Sequence, residues 1–216
     1  MSTFDRYSVN EEIVNSLLHI IGIYVSVVFS TIICISAYNT PDFSFVKFAS
    51  VLIYGISLTL MFTMSSAYHA VQYIPAKCIL KILDHIAIYF AIAGMNTPIC
   101  MIILKPNSPI FSEALLSLQW FAVCAGTIFK IFTAGQHKVL STSIYLALGW
   151  MMCAAIKPVL QVCDATQITY LIAGGVLYTV GSIFYMMKSI RYMHCVWHMF
   201  VLIASICHFL FILSII

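Results

Sequence analysis

The sequence predicts an all-α membrane protein, a bundle of seven transmembrane helices. Of its 216 residues, 62% are hydrophobic and only 8% are charged, whereas about 25% of the residues in a soluble domain are charged. The mean hydropathy is +1.04. Long apolar stretches recur along the chain, each close to the roughly 20 residues that a helix needs to cross a bilayer. These three observations exclude a soluble fold.

The first predicted helix covers about residues 16–38. The residues before it are polar and lack the basic start and small-residue cleavage site of a signal peptide, so we expect this apolar segment to be retained. The motif Asn-Thr-Pro-Asp at residues 39–42 ends the segment. The predicted organisation is therefore a short polar N-terminal segment, residues 1–15, followed by a seven-helix transmembrane domain, residues 16–216.

The other six predicted helices are separated by short loops. Pro75 separates the second helix from the third, and two prolines within residues 105–109 separate the third from the fourth. Pro98 and Pro158 fall inside or at the end of predicted helices, where they permit kinks. The six spans cover about residues 44–70, 78–104, 111–132, 138–159, 168–189 and 193–215.

Lysine and arginine are distributed unequally between the two ends of the predicted bundle. Because cytoplasmic loops carry an excess of these residues, the bias predicts a cytoplasmic N-terminus and a non-cytoplasmic C-terminus. The net charge of +3 reflects the same bias and gives no indication of nucleic-acid binding. The N-terminal side carries Arg6, Lys77, Lys81, Lys130, Lys138, Lys188 and Arg191, and the other side carries Lys47, Lys105 and Lys157.

Four titratable residues lie near the ends of segments that are otherwise apolar. His69 ends the second segment, Asp84 begins the third, and His194 and His198 begin the seventh. Charged groups at the middle of a membrane helix cost about 2.5–3.5 kcal/mol each, so such residues need a partner or a function. At about 1.5 Å per residue, all four should lie within roughly 10 Å of the cytoplasmic boundary. This agreement in depth predicts a common site.

The residue types at this depth are those of a catalytic zinc site. His194 and His198 are four residues apart and share a helix face, and His69 supplies a third imidazole. Three neutral imidazoles leave the fourth position of a tetrahedral zinc ion open to water, whose pKa falls to about 7. Asp84 could orient that water or accept its proton. Ser65, one helical turn before His69, could position a ligand or donate to an oxyanion.

Simpler roles remain open for several of these residues. An intramembrane histidine can bond a neighbouring helix without binding a metal, and Ser65 can bond its own helix backbone. His208 lies about 15 Å deeper than His198 along the helix, so we expect it to make an interhelical bond. His85 points roughly 100° away from Asp84, which favours a packing role.

A further polar group precedes the first predicted helix. Glu12, Asn15 and His19 have the spacing i, i+3, i+7, which places them on one helix face. Capping and interhelical bonds at a helix start explain this pattern at least as well as catalysis does. Because the group lies on the same side as the histidines, we expect it to support the metal ligands through hydrogen bonds.

Eight cysteines are scattered along the chain without a CxxC motif. Most fall inside predicted helices, where cysteine behaves as a small hydrophobe. We therefore predict no structural disulfide. Cys195 adjoins His194 and could touch a metal, although an apolar role is favoured.

Together these residues resemble the hemolysin III branch of the progestin and adipoQ receptor family. The resemblance rests on EEIVNSLLHIIG, SSAYHA, LDHIAIYFAIAG followed by NTP, YLALGW and HCVWHMFVLIASICHF, which span residues 11–209. It implies seven helices with a cytoplasmic N-terminus and a zinc ion held by residues that are here His69, His194 and His198. Asp84 and Ser65 match the family's residues beside that metal. Because adiponectin receptors of this family resemble amidases that cleave ceramide, the resemblance implies lipid chemistry.

Three functions are compatible with this pattern. The first is a zinc-dependent hydrolase of a membrane-lipid amide or ester in a bacterial inner membrane, with no nucleic-acid or evident protein partner. The second is a receptor or regulator in which zinc is structural, and an open fourth coordination position would distinguish the two. The third, a membrane-lytic pore-former, is disfavoured because no predicted helix carries a continuous polar stripe.

The predicted orientation can be tested with reporter fusions. A reporter after Ile216 should read as non-cytoplasmic and one inserted near Lys138 as cytoplasmic, because the excess of lysine and arginine retains that side in the cytoplasm. The reverse result would place the histidine site on the opposite face of the membrane.

Overall fold

Seven helical spans make up the part of the molecule that the structure describes. The computed structural model describes residues 7–133, 136–187 and 189–216. Within these residues all regular elements are helical, and seven spans are long and apolar enough to cross a membrane. The predicted fold class is therefore confirmed. Two residues of the charge argument, Arg6 and Lys188, lie outside the described residues.

The helix bounds follow the apolar segments closely except at the N-terminus. A π-helix, Ile99–Leu104, continues the third α-helix, and a 3-10 helix, Met151–Ala155, joins the fifth to the sixth, so that these pairs form single spans. The α-helices are α1 (Val9–Asn39), α2 (Phe45–Ala70), α3 (Ile74–Pro98), α4 (Pro109–Thr133), α5 (Lys138–Trp150), α6 (Ile156–Val162), α7 (Ala165–Met186) and α8 (Met193–Ser214).

Helix α1 begins at Val9 rather than near residue 16. Ser8 and Glu11 form a capping box in which the Glu11 N–H donates to Ser8 Oγ and the Ser8 N–H donates to Glu11 Oε2 at 3.0 Å. Such a cap satisfies amide groups that are otherwise unpaired at a helix start. The other carboxylate oxygen of Glu11 accepts from the Tyr192 N–H at 2.9 Å, which joins the starts of α1 and α8. The polar residues Glu11, Glu12, Asn15 and His19 therefore lie inside the first helix.

The third and fifth spans change helical type at defined places. The π-helix follows directly on Pro98, the residue expected to permit a kink. There the Cys100 carbonyl accepts both the Lys105 N–H at 2.8 Å and the Ser112 hydroxyl at 2.7 Å. The Ser112 side chain of α4 thus provides a hydrogen-bond donor for a backbone carbonyl of the third span. Inside a bilayer such a carbonyl needs a partner from the protein, because water is absent.

Small residues allow α2 and α3 to approach closely. A Cβ atom built on Gly94 would lie 2.6 Å from Ser57 Cβ, which is too close for two side chains. A Cβ atom built on Gly149 of α5 would meet no neighbouring atom within 4 Å. Helix association within a bilayer depends on such small-residue contacts, because lipid supplies no hydrophobic force between helices.

This contrast gives a stability prediction. Gly94→Ala should destabilise the protein by about 1–3 kcal/mol, since α2 must move to make room for the methyl group. The matched variant Gly149→Ala should leave stability equal or raise it by up to about 1 kcal/mol, because alanine favours helix. Thermal unfolding in detergent measures both, and equal melting temperatures would contradict the close approach of α2 and α3.

Candidate metal centre

Three histidines converge where α2 ends and α8 begins. His69, His194 and His198 each place one ligand atom within 4.8 Å of the others. The Nε2 atoms of His69 and His198 lie 3.2 Å apart. Two nitrogens bound at about 2.0–2.1 Å to one tetrahedral ion would lie about 3.3–3.4 Å apart. The spacing is thus close to that of two ligands sharing an ion, and the group can hold a metal.

The ring of His69 is oriented by a carboxylate. Its Nδ1 lies 2.6 Å from Glu12 Oε2, and the other oxygen of Glu12 lies 2.8 Å from Lys77 Nζ. His69 is fully buried and Glu12 is nearly so. An Nδ1–H that donates to Glu12 leaves the Nε2 lone pair free toward the other histidines. A carboxylate in this position fixes the tautomer of a ligating histidine and raises its basicity.

His198 is oriented in the same way by a second histidine. Its Nδ1 lies 2.6 Å from His19 Nε2. Both rings are buried, and their centroids lie 4.1 Å apart in an edge-on arrangement. A His198 Nδ1–H that donates to His19 leaves His198 Nε2 free to face His69. Glu12 and His19, both on α1, therefore hold the two facing imidazoles in place.

His194 completes the cluster from the first turn of α8. Its ring stacks on Tyr7, with centroids 4.7 Å apart and planes at 18°. Burial raises the pKa of the Tyr7 phenol above its usual range, so Tyr7 is a neutral partner. The Nδ1 of His194 is buried and has no hydrogen-bond partner within the described residues. An orphaned buried nitrogen beside two further imidazoles is compatible with a metal ligand.

Asp84 and Ser65 lie beside the histidine cluster and outside it. Both line the cavity that His194 and His198 also border. Their side chains interact with each other, and the Asp84 carboxylate also interacts electrostatically with His69. This arrangement places a carboxylate in the wall of the cavity that His194 and His198 also line, where it can reach a molecule bound in the cavity.

Asn15 and Cys195 also lie near the site. Asn15 is fully buried on α1 between Glu12 and His19, and neither polar atom of its side chain has a partner within the described residues. The Cys195 thiol contacts the Glu11 carbonyl at 3.9 Å and is not a member of the histidine cluster. All eight cysteines have free thiols.

A cavity of about 250 Å³ extends from the histidines into the bundle. Its polar end contains His194, His198, Asp84 and Ser65. Its volume is slightly below the roughly 300–1,000 Å³ of typical small-molecule pockets. The wall beyond this end is mainly apolar and includes Leu58, Met61, Ile88, Ile92, Met95, Leu146, Met152, Ile156, Val159, Leu171, Ile172 and Val201.

The remaining sequence-predicted histidines lie elsewhere. His208 borders the cavity well away from the cluster, packs against Gly174 and Tyr178, and interacts with the Leu171 backbone of α7. His85 also borders the cavity, and its carbonyl accepts from the Tyr145 hydroxyl at 2.9 Å.

Sequence reasoning missed two contributors to the site. Tyr7 covers His194, and Lys77 pairs with the carboxylate that holds His69. Lys77 is only 6% exposed despite its charge. A lysine beside an apolar segment can signal a buried ion pair, whereas the charge bias alone takes Lys77 only as an indicator of orientation. Tyr7 carries no such signal.

Comparisons with known proteins point to one family. The family model described as "Haemolysin-III related" matches residues 7–209. The chain is 36% identical over 207 residues to the "Hemolysin-3 homolog" of Bacillus subtilis, covering 96% of this chain and 95% of that protein. It is also 36% identical to "Hemolysin-3" of Bacillus cereus, covering 91% and 88%. The human "Monocyte to macrophage differentiation factor" is 28% identical over 73% of this chain and 66% of its own length.

The cluster geometry gives a metal-binding prediction. His198→Ala should lose bound metal and melt at a lower temperature, because metal-binding energy is also folding energy. His208→Ala, on the same helix, should retain about one metal ion per chain. Elemental analysis of purified protein tests both variants. Metal loss in His208→Ala with retention in His198→Ala would refute the ligand set.

Proposed function

This chain belongs to the haemolysin-III-related family of integral membrane proteins, and from that premise we propose that it is a zinc-dependent hydrolase of a lipid amide or ester. One observation carries the proposal: a cluster of three histidines, with a carboxylate beside it, opens into a mainly apolar cavity within the bundle. The bond to be cleaved would lie beside the histidines and the carboxylate, and an apolar chain would lie along the apolar wall.

The donor set favours zinc. The cluster consists of three imidazoles, and within the described residues no carboxylate belongs to it. Iron and manganese sites more usually include carboxylate ligands. When bound, zinc would supply Lewis-acid chemistry, polarising a substrate carbonyl and acidifying a coordinated water.

Side chains of this protein carry out the proton transfers of the proposed reaction. Asp84 borders the cavity beside the histidines and is placed to take a proton from the attacking water. As the C–N or C–O bond breaks, Asp84 returns that proton to the leaving amine or alcohol. The Ser65 hydroxyl, which interacts with Asp84, orients the carboxylate or donates to the developing oxyanion. Glu12 and His19 keep the imidazoles fixed throughout.

The cavity wall favours a lipid as the substrate. Trp150, Ile156 and Ile172 line the cavity and are 39%, 38% and 44% exposed. Exposed apolar residues of α5, α6 and α7 in the cavity wall favour a route between the cavity and the hydrocarbon region. A substrate dissolved in the bilayer could enter without crossing water.

The setting follows from the relatives and from the charge bias. Both Hemolysin-3 proteins come from Bacillus species, which favours a bacterial plasma membrane. The excess of lysine and arginine at the histidine end favours a site at the cytoplasmic face.

A receptor or regulator with structural zinc is the second candidate. The contacts of α1 favour it. Glu12 contacts His69 of α2 and His19 contacts His198 of α8, so the histidine cluster connects three helices. In that case Asp84 has no role in turnover. The two candidates therefore differ in what a change at Asp84 does.

The substitution Asp84→Asn separates these candidates. In a hydrolase the variant should keep its zinc and lose about 10²–10⁴ in rate, since an amide cannot accept the proton. The assay is fatty-acid release from ceramides and related lipid amides and esters by wild type, Asp84→Asn and His194→Ala. Release by wild type alone supports the hydrolase. Equal release by all three would assign the activity to a contaminant or another site, and release by none would favour the regulator.

A further inference from the structure

The cavity has a second group of polar side chains, at the end away from the histidine cluster. Tyr54 of α2, Asn96 of α3 and His208 of α8 all line its wall. At about 1.5 Å per residue, His208 lies about 15 Å from His198 along α8, and Tyr54 lies about 22 Å from His69 along α2. We call Tyr54, Asn96 and His208 the distal polar group. None of the three has a role in the proposed reaction.

Each member of the distal polar group has a polar atom that lacks a partner. The Tyr54 hydroxyl, Asn96 Nδ2 and His208 Nε2 are buried and make no hydrogen bond within the described residues. Buried polar atoms are costly when unpaired, and the great majority in folded proteins are paired. Three such atoms in the wall of one cavity favour a polar group of a bound molecule as the missing partner.

The packing of α2 against α3 brings Tyr54 and Asn96 to one depth. The two helices are in contact at Gly94, where a built Cβ atom would lie 2.6 Å from Ser57 Cβ. Tyr54 lies about 4.5 Å beyond Ser57 and Asn96 about 3 Å beyond Gly94, both in the direction away from the histidine cluster. Their positions along the bundle therefore differ by little.

Tyr178 of α7 lies between Tyr54 and His208. Its ring centre is 5.5 Å from that of His208, and its hydroxyl lies 3.0 Å from Ser205 Oγ. Tyr178 also interacts electrostatically with Tyr54 and lines the cavity. Side chains of α2, α3, α7 and α8 thus form the distal end of the cavity together.

The distal polar group is suited to an uncharged partner. Within the described residues, the lysines and carboxylates in the cavity wall are Lys81, Asp84 and Lys138, all at the histidine end. A carboxylate or phosphate at the distal end would be buried without a lysine or arginine, which is costly. An amide N–H only donates, whereas a phenol donates or accepts. A hydroxyl group also does both, so it can bond to Asn96 Nδ2 and to the Tyr54 hydroxyl.

We propose that the cavity binds a lipid whose acyl chain carries a hydroxyl group far from its carbonyl, and that the distal polar group binds this hydroxyl. A fully extended chain gains about 1.2 Å per bond, since a polypeptide gains about 3.3–3.6 Å per residue of three bonds. The roughly 15–22 Å between the histidine cluster and the distal polar group therefore matches a chain of about 12–18 carbons. Hydrolysis of such a lipid rests on the proposed function, whereas binding of its hydroxyl does not.

Competition between two isomeric lipids tests the proposal in the full-length protein. Both are ethanolamides of a hydroxypalmitic acid in an uncharged detergent. One has its hydroxyl on the terminal carbon, and the other has it a few carbons from the carbonyl. Each displaces a palmitic acid ethanolamide with a brominated chain, which quenches Trp150 and Trp197 in the cavity wall, and Trp120→Phe removes the third tryptophan. The terminal isomer should bind about three- to tenfold more tightly, the effect of one hydrogen bond.

All binding is measured with Asp84→Asn also present, so that the probes are not consumed. Wild-type turnover is assayed separately. A protein that hydrolyses nothing can therefore still show the preference for the terminal isomer, and a hydrolase can lack it. Failure of the proposed function and failure of the present proposal are thus distinguishable.

Substitutions that remove single polar groups locate the effect. Tyr54→Phe and Asn96→Leu should each remove most of the preference. Tyr145→Phe is the matched control, because Tyr145 lines the cavity but its hydroxyl already donates to the His85 carbonyl at 2.9 Å, and it should leave the preference unchanged. Equal binding of the two isomers by the parent protein, or a preference that survives both Tyr54→Phe and Asn96→Leu, would overturn the proposal. An equal loss in Tyr145→Phe would do so as well.

Thermal unfolding without ligand separates binding from a structural role. Tyr54→Phe removes a hydroxyl that has no partner among the described residues, so the melting temperature should stay equal or rise. If the distal polar group only holds buried water that stabilises the bundle, Tyr54→Phe should melt at a lower temperature and the parent should bind both isomers equally. That pair of results would refute the proposal. If Asn96→Leu does not fold, Tyr54→Phe and His208→Ala decide, each with a loss of preference expected.

Discussion

The high free energy of an unpaired imidazole or carboxylate inside a bilayer is the constraint on which the rest of this structure depends. Four successive contacts satisfy it. Lys77 pairs with Glu12, and Glu12 contacts His69. His69 in turn faces His198, and His198 contacts His19. These contacts join α1, α2, α3 and α8 at one end of the bundle. The same contacts leave the facing nitrogens of His69 and His198 turned toward each other and toward His194. The contacts that satisfy these polar groups therefore also bring the three histidines together.

Much of the fold and part of the site could be predicted from the sequence. Seven apolar segments of sufficient length determine seven spans, and their directions require His69, His194 and His198 to share a depth. Depth alone does not determine lateral neighbours, so the pairing of Glu12 with His69 and of His19 with His198 emerges only from the packing of α1. The early start of α1 was missed because apolar length outweighed the Ser8–Glu11 cap. Tyr7 and the inward orientation of Lys138 depend on tertiary contacts that leave no pattern in the chain.

The cavity combines two chemical environments that a lipid also combines. Its inner wall is mainly apolar, and its histidine end carries imidazoles and the Asp84 carboxylate. A lipid amide or ester would place its chain in the first and its reacting carbonyl in the second. Proton transfer by Asp84 would then act on the carbonyl beside the histidines.

The central claim is that three histidines hold one zinc ion whose fourth position remains open to solvent or substrate. X-ray absorption at the zinc edge, on protein purified without added chelator, tests it most directly. We predict three imidazole nitrogens and one oxygen at about 2.0–2.1 Å, with the number of oxygen ligands rising when a chelating hydroxamate-bearing lipid analogue is added. A shell of four protein ligands, a zinc–sulfur distance of about 2.3 Å, or the absence of zinc from folded protein would contradict it.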